Sequence, residues 1–148
     1  MSLKAELFTD GGARGNPGPA GIGAVLRPLS ADSLIKPQSL RRYIGTATNN
    51  QAEYRALLAG LDMAITAGVT ELKVFLDSEL IVKQLRGEYK VKNADLKPLF
   101  AEVLRCTNQF SRISWHHIPR QKNKEADKLV NEALDKQAGV KKKFKPKD

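Results

Sequence analysis

The stretch LFTDGGARGNPGPAGIGAVL, residues 7 to 26, places an aspartate directly after an apolar run and directly before a glycine-rich segment. The flanking residues predict two strands, AELFTD at 5 to 10 and GIGAVLRP at 21 to 28, joined by a glycine-proline loop. Asp10 is therefore expected to end the first strand. A carboxylate beside a core is unfavourable without a partner, so the position of Asp10 raises the question of what stabilises it there.

The rest of the chain extends these two strands into an α/β domain. LRRYIGTAT, residues 40 to 48, predicts a third strand, and the short connections favour an antiparallel arrangement of the first three. Thr48 and Gln51 form a capping-box pattern, which predicts a helix from Asn49 to Ala67. The remaining pattern predicts strands at 71–77 and 112–119 and helices at 78–87, 93–110 and 123–138. Strands interleaved with helices in this order predict a mixed sheet covered by helices.

Length and charge restrict the class of protein. The 148 residues suit one domain, and no apolar stretch is long enough to cross a bilayer, so no membrane partner is expected. The formal net charge of +9 suits a polyanionic partner such as nucleic acid. We predict a domain over residues 1–139 and a basic tail over residues 140–148. The single cysteine, Cys106, favours a reducing cytoplasm, and we expect a monomer.

Four acidic residues of this basic protein are predicted to border the core. Asp10 and Asp77 follow apolar strands, Glu53 lies one turn before the apolar stripe of its helix, and Asp127 flanks the stripe of the last helix. Each alone is typical of a helix cap or a partly exposed carboxylate. Together, several anions beside one core repel each other unless a cation joins them. Carboxylate ligands favour Mg²⁺ or Mn²⁺, and two such ions about 3.5 to 4 Å apart can assist phosphodiester hydrolysis.

Five motifs occur in the order FTDGGARGNPGPAGIGAVL, TNNQAEY, FLDSELIVKQL, KNADL and NKEADKLVNEAL, and together they resemble the motifs of the type 1 ribonuclease H family. The resemblance implies that family's fold, a five-stranded mixed sheet with three antiparallel strands followed by two parallel ones, flanked by helices. It also implies a metal-dependent endonuclease that cleaves the RNA strand of an RNA/DNA hybrid, with two Mg²⁺ ions when substrate is bound. The residues that match the family's catalytic, metal-binding carboxylates are Asp10, Glu53, Asp77 and Asp127.

The same resemblance implies seven substrate-binding positions. They are Gly11, Gly12, Asn16, Thr48, Asn49, Asn50 and Asn93. The first three asparagines match contacts to the minor groove of the hybrid, and the main chain at the two glycines matches contacts to RNA 2′-hydroxyl groups, which distinguish RNA from DNA. The threonine and the last asparagine match part of a pocket for a DNA-strand phosphate. Taken singly, the asparagines are also typical of ordinary turns and helix caps.

The loop before Asp127 reads HHIPRQKNKEAD and is shorter than the family form that carries a mobile catalytic histidine. His116 and His117 are predicted within the last strand, on opposite faces and with structural roles. Arg120 is predicted to assist catalysis by stabilising negative charge on the leaving group, because a guanidinium is not a general base at neutral pH. The alternative function is a module that binds hybrids or structured RNA without cutting, and such a module would not need four convergent carboxylates.

Overall fold

The computed structural model describes residues 2–30 and 33–139, which form one mixed sheet with helices packed on it. The strands are β1 (Lys4–Ala13), β2 (Gly18–Pro28), β3 (Gln38–Ala47), β4 (Glu71–Leu76) and β5 (Arg112–His117). The helices are α1 (Asn49–Thr66), α2 (Glu79–Leu85), α3 (Lys97–Thr107) and α4 (Lys124–Gln137), with a short 3₁₀ turn at Arg120–Lys122. None of the helices among these residues has the length and apolar character to cross a membrane. The predicted basic tail, residues 140–148, lies outside the described residues.

The strand order is β3-β2-β1-β4-β5, which confirms the predicted five-stranded mixed sheet. β1, β2 and β3 pair antiparallel, whereas β4 pairs parallel with both β1 and β5. β1 pairs with β2 as far as Ala13 but with β4 only as far as Phe8, which lies opposite Phe75. Beyond that pair the two central strands separate, and the resulting crevice at the end of β4 is where open α/β sheets bind ligands.

Asp10 lies inside β1 and not at its end, so the predicted strand boundary is wrong. The strand continues through Gly11 and Gly12, which lie opposite Ile22 and Gly21 of β2. The error has a physical reason: glycine is usually a turn signal, but here it keeps extended geometry because a long neighbouring strand supplies hydrogen-bond partners. The residues before and after Asp10 in the chain, Thr9 and Gly11, both pair with β2 and thereby hold the position of Asp10.

Two of these glycines also let the helices approach the sheet closely. A Cβ atom at Gly11 would lie 2.2 Å from the carbonyl oxygen of Ala52 in α1. On β2, a Cβ atom at Gly23 would lie 2.5 Å from the carbonyl oxygen of Ala126 in α4. Both distances are below any ordinary carbon–oxygen contact, so glycine is required for the backbone of each helix to rest on the sheet. Gly11 therefore serves helix packing, which sequence alone did not indicate.

The helix that carries Glu53 begins as predicted. Thr48 is the N-cap of α1: its hydroxyl accepts from the Gln51 N–H at 3.1 Å, and the Gln51 side chain accepts from the Thr48 N–H at 2.8 Å. This reciprocal pair satisfies two backbone donors at the helix start. The apolar face of α1, including Leu57 and Leu61, is fully buried in the core between α1 and the sheet. Cap and core together fix the rotation of α1 and hence the direction of its acidic side chain.

Candidate active site

The four predicted carboxylates converge at the crevice between β1 and β4. Oxygen atoms of Asp10, Glu53 and Asp77 lie within 4.8 Å of one another. Asp127, in the first turn of α4, lies beside Asp10 and lines the same cavity of about 290 Å³. The set is thus assembled from two strands and two helices that are distant in sequence, and the predicted clustering is present in the fold.

Glu53 and Asp77 are held in place by different local contacts. Glu53 is 7% exposed and its Oε1 accepts the backbone N–H of Gly11 at 3.0 Å. That bond links α1 to β1 immediately after Asp10. Asp77 follows the last residue of β4, and Ser78 then caps α2 by accepting from the Ile81 N–H at 3.3 Å. The chain direction at Asp77 is therefore fixed on one side by the sheet and on the other by a capped helix.

The electrostatics of the cluster show that the carboxylates are crowded. Burial, followed by the charges of Asp77 and Asp127, raises the pKa of Asp10 from 3.8 to about 8, while Arg120 opposes the shift. Burial also raises the pKa of Glu53 well above its ordinary value, followed by the charges of Asp10 and Asp77, while the Gly11 N–H bond and Arg120 oppose the shift. The ionised forms of these carboxyl groups are unfavourable without a partner, and a multivalent cation would stabilise them. The donor set consists of oxygen atoms, which fits a hard divalent cation.

The raised pKa of Asp10 predicts a stability profile that falls with pH in the absence of divalent cations. Between its ordinary value of 3.8 and about 8, folded Asp10 keeps a proton that the unfolded chain has released. The native state therefore binds more protons than the unfolded state, and the free energy of unfolding decreases as pH rises through this window. Urea unfolding of wild type and of Asp10→Asn between pH 5 and pH 8 in EDTA measures this decrease. The free energy of unfolding of the variant should fall less steeply with pH than that of wild type. A wild-type profile no steeper than that of the variant contradicts the prediction.

Arg120 is a cation that lies near Asp10 and Glu53. It begins the 3₁₀ turn before α4, lines the cavity, and lowers the pKa of both Asp10 and Glu53. His116 instead stacks on Phe75, with ring centroids 5.1 Å apart, and its Nε2 lies 2.8 Å from the Ser114 hydroxyl. Desolvation, then Arg86 and Lys73, lower the pKa of His116. Neither histidine lines this cavity.

The predicted substrate residues divide into two groups. Gly11, Gly12 and Asn49 line the cavity, whereas Asn16, Thr48, Asn50 and Asn93 do not. The Asn16 side chain accepts the N–H of Asn49 at 3.0 Å, and Asn49 Oδ1 in turn accepts the N–H of Ala13 at 2.8 Å. Asn93 Oδ1 accepts the N–H of Asp95 at 2.7 Å. These bonds give each of the three asparagines a structural role in the fold.

Three polar residues at the site were missed by sequence reasoning: Arg14, Asn123 and Asn131. Arg14 and Asn131 line the cavity, and Arg14 pairs with Asp135 of α4 at 2.7 Å. Asn123 is 2% exposed and donates to Asp77. The sequence held one usable signal, since Asn131 lies four residues after Asp127 and so on the same helix face. For Asn123 the sequence signal was that of an ordinary helix start.

Comparison with known proteins agrees with the fold. A family model described as reverse transcriptase-like matches residues 8–133. The chain is 47% identical over 133 residues to the bifunctional protein Rv2228c of Mycobacterium tuberculosis, covering 90% of this chain and 36% of that protein. It is 31% identical over 153 residues to the ribonuclease H of Erythrobacter litoralis, covering 91% of this chain and 99% of the relative.

Among solved structures, LC11-RNase H1 in complex with an RNA/DNA hybrid matches with a TM-score of 0.83 and 45% identity, covering 90% of this chain and 99% of that chain. The chain spans nearly the whole length of the Erythrobacter relative but only about a third of the mycobacterial protein. The family model defines the class as reverse transcriptase-like. Within that class, the matches over nearly full length show that the chain belongs to the ribonuclease H family.

Proposed function

We propose that this protein is a metal-dependent endonuclease that hydrolyses the RNA strand of RNA/DNA hybrids. The observation that carries the proposal is the convergence of three carboxylates within 4.8 Å, with a fourth beside them, in one open cavity of a basic protein. Burying several like charges destabilises a fold, and a purely structural protein gains nothing from it. The matched LC11-RNase H1 was solved with an RNA/DNA hybrid, which supports this class of substrate.

The oxygen-only donor set favours Mg²⁺, with Mn²⁺ as a substitute, and we propose that Asp10, Glu53, Asp77 and Asp127 hold two ions when substrate is bound. Such ions supply Lewis acidity that activates water and offsets charge on the leaving oxygen. The protein itself brings the four carboxylates to one cavity and orients them, and the bound ions would favour their ionised forms. We assign to Arg120 the stabilisation of charge on the departing oxygen, because its guanidinium stays protonated throughout.

We propose substrate contacts at the residues carried over from the family. Asn49 and the main chain at Gly11 and Gly12 line the cavity, and we propose that Asn49 meets the minor groove and that the two glycines meet RNA 2′-hydroxyl groups. Asn16 orients Asn49 through its backbone N–H, and we propose that both contact the hybrid together with Asn50. Thr48 and Asn93 would hold a DNA-strand phosphate. We also propose that the protein acts as a monomer and in the cytoplasm.

A cleavage assay with three labelled substrates tests the function. An RNA/DNA hybrid should be cut in its RNA strand when Mg²⁺ is present, whereas single-stranded RNA and duplex DNA should remain intact, and EDTA should stop the reaction. Binding of the hybrid without cleavage in Mg²⁺ or Mn²⁺ would support the alternative, a non-catalytic binding module. Cleavage of all three substrates would contradict the proposed specificity.

The basic tail predicts a salt effect on binding. The segment from Lys141 to Asp148 contains five lysines and one aspartate, a charge of +4, which leaves +5 for the rest of the chain. If these lysines contact phosphates, their deletion should weaken hybrid binding and reduce the slope of log affinity against log salt concentration by up to ~0.9 per lost contact. Titrations at several salt concentrations with the Asp10→Asn protein, which we expect to bind the hybrid without cutting it, measure this slope. An unchanged slope would assign the tail as a solvated end.

A further inference from the structure

The buried amide of Asn123 makes an unusual pair of contacts. Asn123 immediately precedes α4 and is 2% exposed. Its Nδ2 donates to the backbone carbonyl of Thr9 at 2.9 Å and to Oδ2 of Asp77 at 3.0 Å. Both partners can only accept, Asp77 in its ionised form, so the amide must present its NH₂ group to them. The chemistry of the two partners thus fixes which way the amide points.

Asn123 does not perform the role that its position suggests. Asparagine before a helix commonly caps it by accepting a backbone N–H, yet Asn123 makes no side-chain cap bond. Its φ of −115° and ψ of 30° also differ from the extended conformation of Thr48 and Ser78, which do cap their helices. Its Oδ1 is buried without a hydrogen-bond partner among the described residues. The residue therefore leaves an acceptor unsatisfied while its NH₂ group serves Asp77 and Thr9.

The location of Asn123 connects the segments that carry three of the carboxylates. Thr9 precedes Asp10 and lies just beyond the last paired residue of β1 on the β4 side. The backbone carbonyl of Asn123 accepts the N–H of Asp127 at 3.1 Å in the first turn of α4. One residue thus touches β1 beside Asp10, the side chain of Asp77 and the helix turn of Asp127.

We infer that Asn123 is a positioning residue for the cation site: its amide occupies Oδ2 of Asp77, fixes the orientation of that carboxylate and leaves the other oxygen for the cation. The inference rests on the proposed function, because it presumes that Asp77 is a ligand. Partners that orient ligands in this way commonly contribute ten- to a hundredfold to metal affinity, roughly. The same amide also bridges the gap where β1 and β4 separate, so its removal affects the crevice itself.

Calorimetric titration with Mn²⁺ in the absence of nucleic acid tests this role. Asn123→Ala should raise the dissociation constant for Mn²⁺ by ~10-fold relative to wild type. The Mg²⁺ concentration that gives half-maximal cleavage should rise in parallel. Asn123→Ser, which keeps one short donor, should give an intermediate dissociation constant and serves if the alanine variant does not fold. An unchanged constant in either folded variant overturns the inference.

A buried amide away from the carboxylates provides the matched control. Gln84 is 5% exposed and accepts the hydroxyl of Tyr54 at 2.6 Å. Gln84→Ala should lower thermal stability but keep the wild-type dissociation constant for Mn²⁺. An equal loss of Mn²⁺ affinity in this variant would show a general loosening of the fold and would overturn the positioning role. Absence of Mn²⁺ binding by the wild type would overturn the proposed cation site itself, which separates the two failures.

Discussion

Asp10→Asn and Asp77→Asn should each abolish cleavage of an RNA/DNA hybrid while leaving the protein folded. Both side chains belong to the cluster whose oxygens lie within 4.8 Å, so neutralising either one removes a proposed cation ligand. Cation-derived stabilisation of a transition state amounts to several kcal/mol, and about 1.4 kcal/mol corresponds to a tenfold change in rate. We therefore expect a loss of about a thousandfold or more in turnover with Mg²⁺, measured under single-turnover conditions.

The same substitutions should not weaken the fold in EDTA. At neutral pH the unfolded chain ionises Asp10, whereas burial and the neighbouring carboxylates disfavour that charge in the fold; a neutral amide avoids this cost, so the melting temperature of Asp10→Asn should equal or exceed that of wild type. Asp62→Asn, on the exposed side of α1, is the matched control and should retain wild-type cleavage. If Asp10→Asn or Asp77→Asn cuts the hybrid at nearly the wild-type rate, the assignment of the metal site is wrong.

Arg120→Ala should lower turnover by about tenfold with a smaller effect on hybrid affinity. Arg120 is exposed, so the loss should be smaller than the roughly 10² to 10³ known for donors in water-excluded sites. An interaction that forms mainly in the transition state appears in the rate and not in binding. The acidic limb of the pH–rate profile should persist and move to higher pH, because Arg120 lowers the pKa of Asp10 and Glu53.

Two variants give the Arg120 prediction its controls. Arg112→Ala removes an exposed guanidinium at the other end of β5 and should leave turnover unchanged. His117→Ala removes the exposed histidine at the end of the same strand, outside the cavity, and should act through stability if at all. Should His117→Ala or His116→Ala inactivate a well-folded protein while Arg120→Ala has no effect, a histidine is the catalytic partner and the loop assignment fails.

The order of elements was predictable because each has a strong local signal. The Thr48–Gln51 capping box and the apolar repeat after it determine α1, and the short connections near the N-terminus determine the antiparallel strands. The four carboxylates were also visible, since an acidic residue beside an apolar run conflicts with the local pattern unless it has a function. Their convergence followed from the resemblance to a family, and the structure confirms that Asp10, Glu53 and Asp77 meet.

The remaining features depend on contacts between distant parts of the chain. Local rules assign Gly11 to a loop, but β2 and α1 together hold it in a strand. Likewise, asparagine before a helix predicts a cap, and only the folded chain brings Asp77, 46 residues away, to the Asn123 amide. Burial and partner choice at these positions are properties of tertiary structure, which periodicity and turn chemistry in one sequence do not encode.

The close contacts at Gly11 and Gly23 set the dimensions of the active site. Ala52 and Ala126, whose carbonyl oxygens rest on these glycines, immediately precede Glu53 and Asp127. Each helix thus delivers its carboxylate from a point where peptide backbone lies directly on peptide backbone. The distance from each helix to the sheet at these points is set by contact between backbone atoms, whose dimensions do not depend on the side chains. The apolar core beneath α1 is therefore free to change composition while the distance between catalytic groups stays constant, whereas one added methyl group at either glycine displaces an acid.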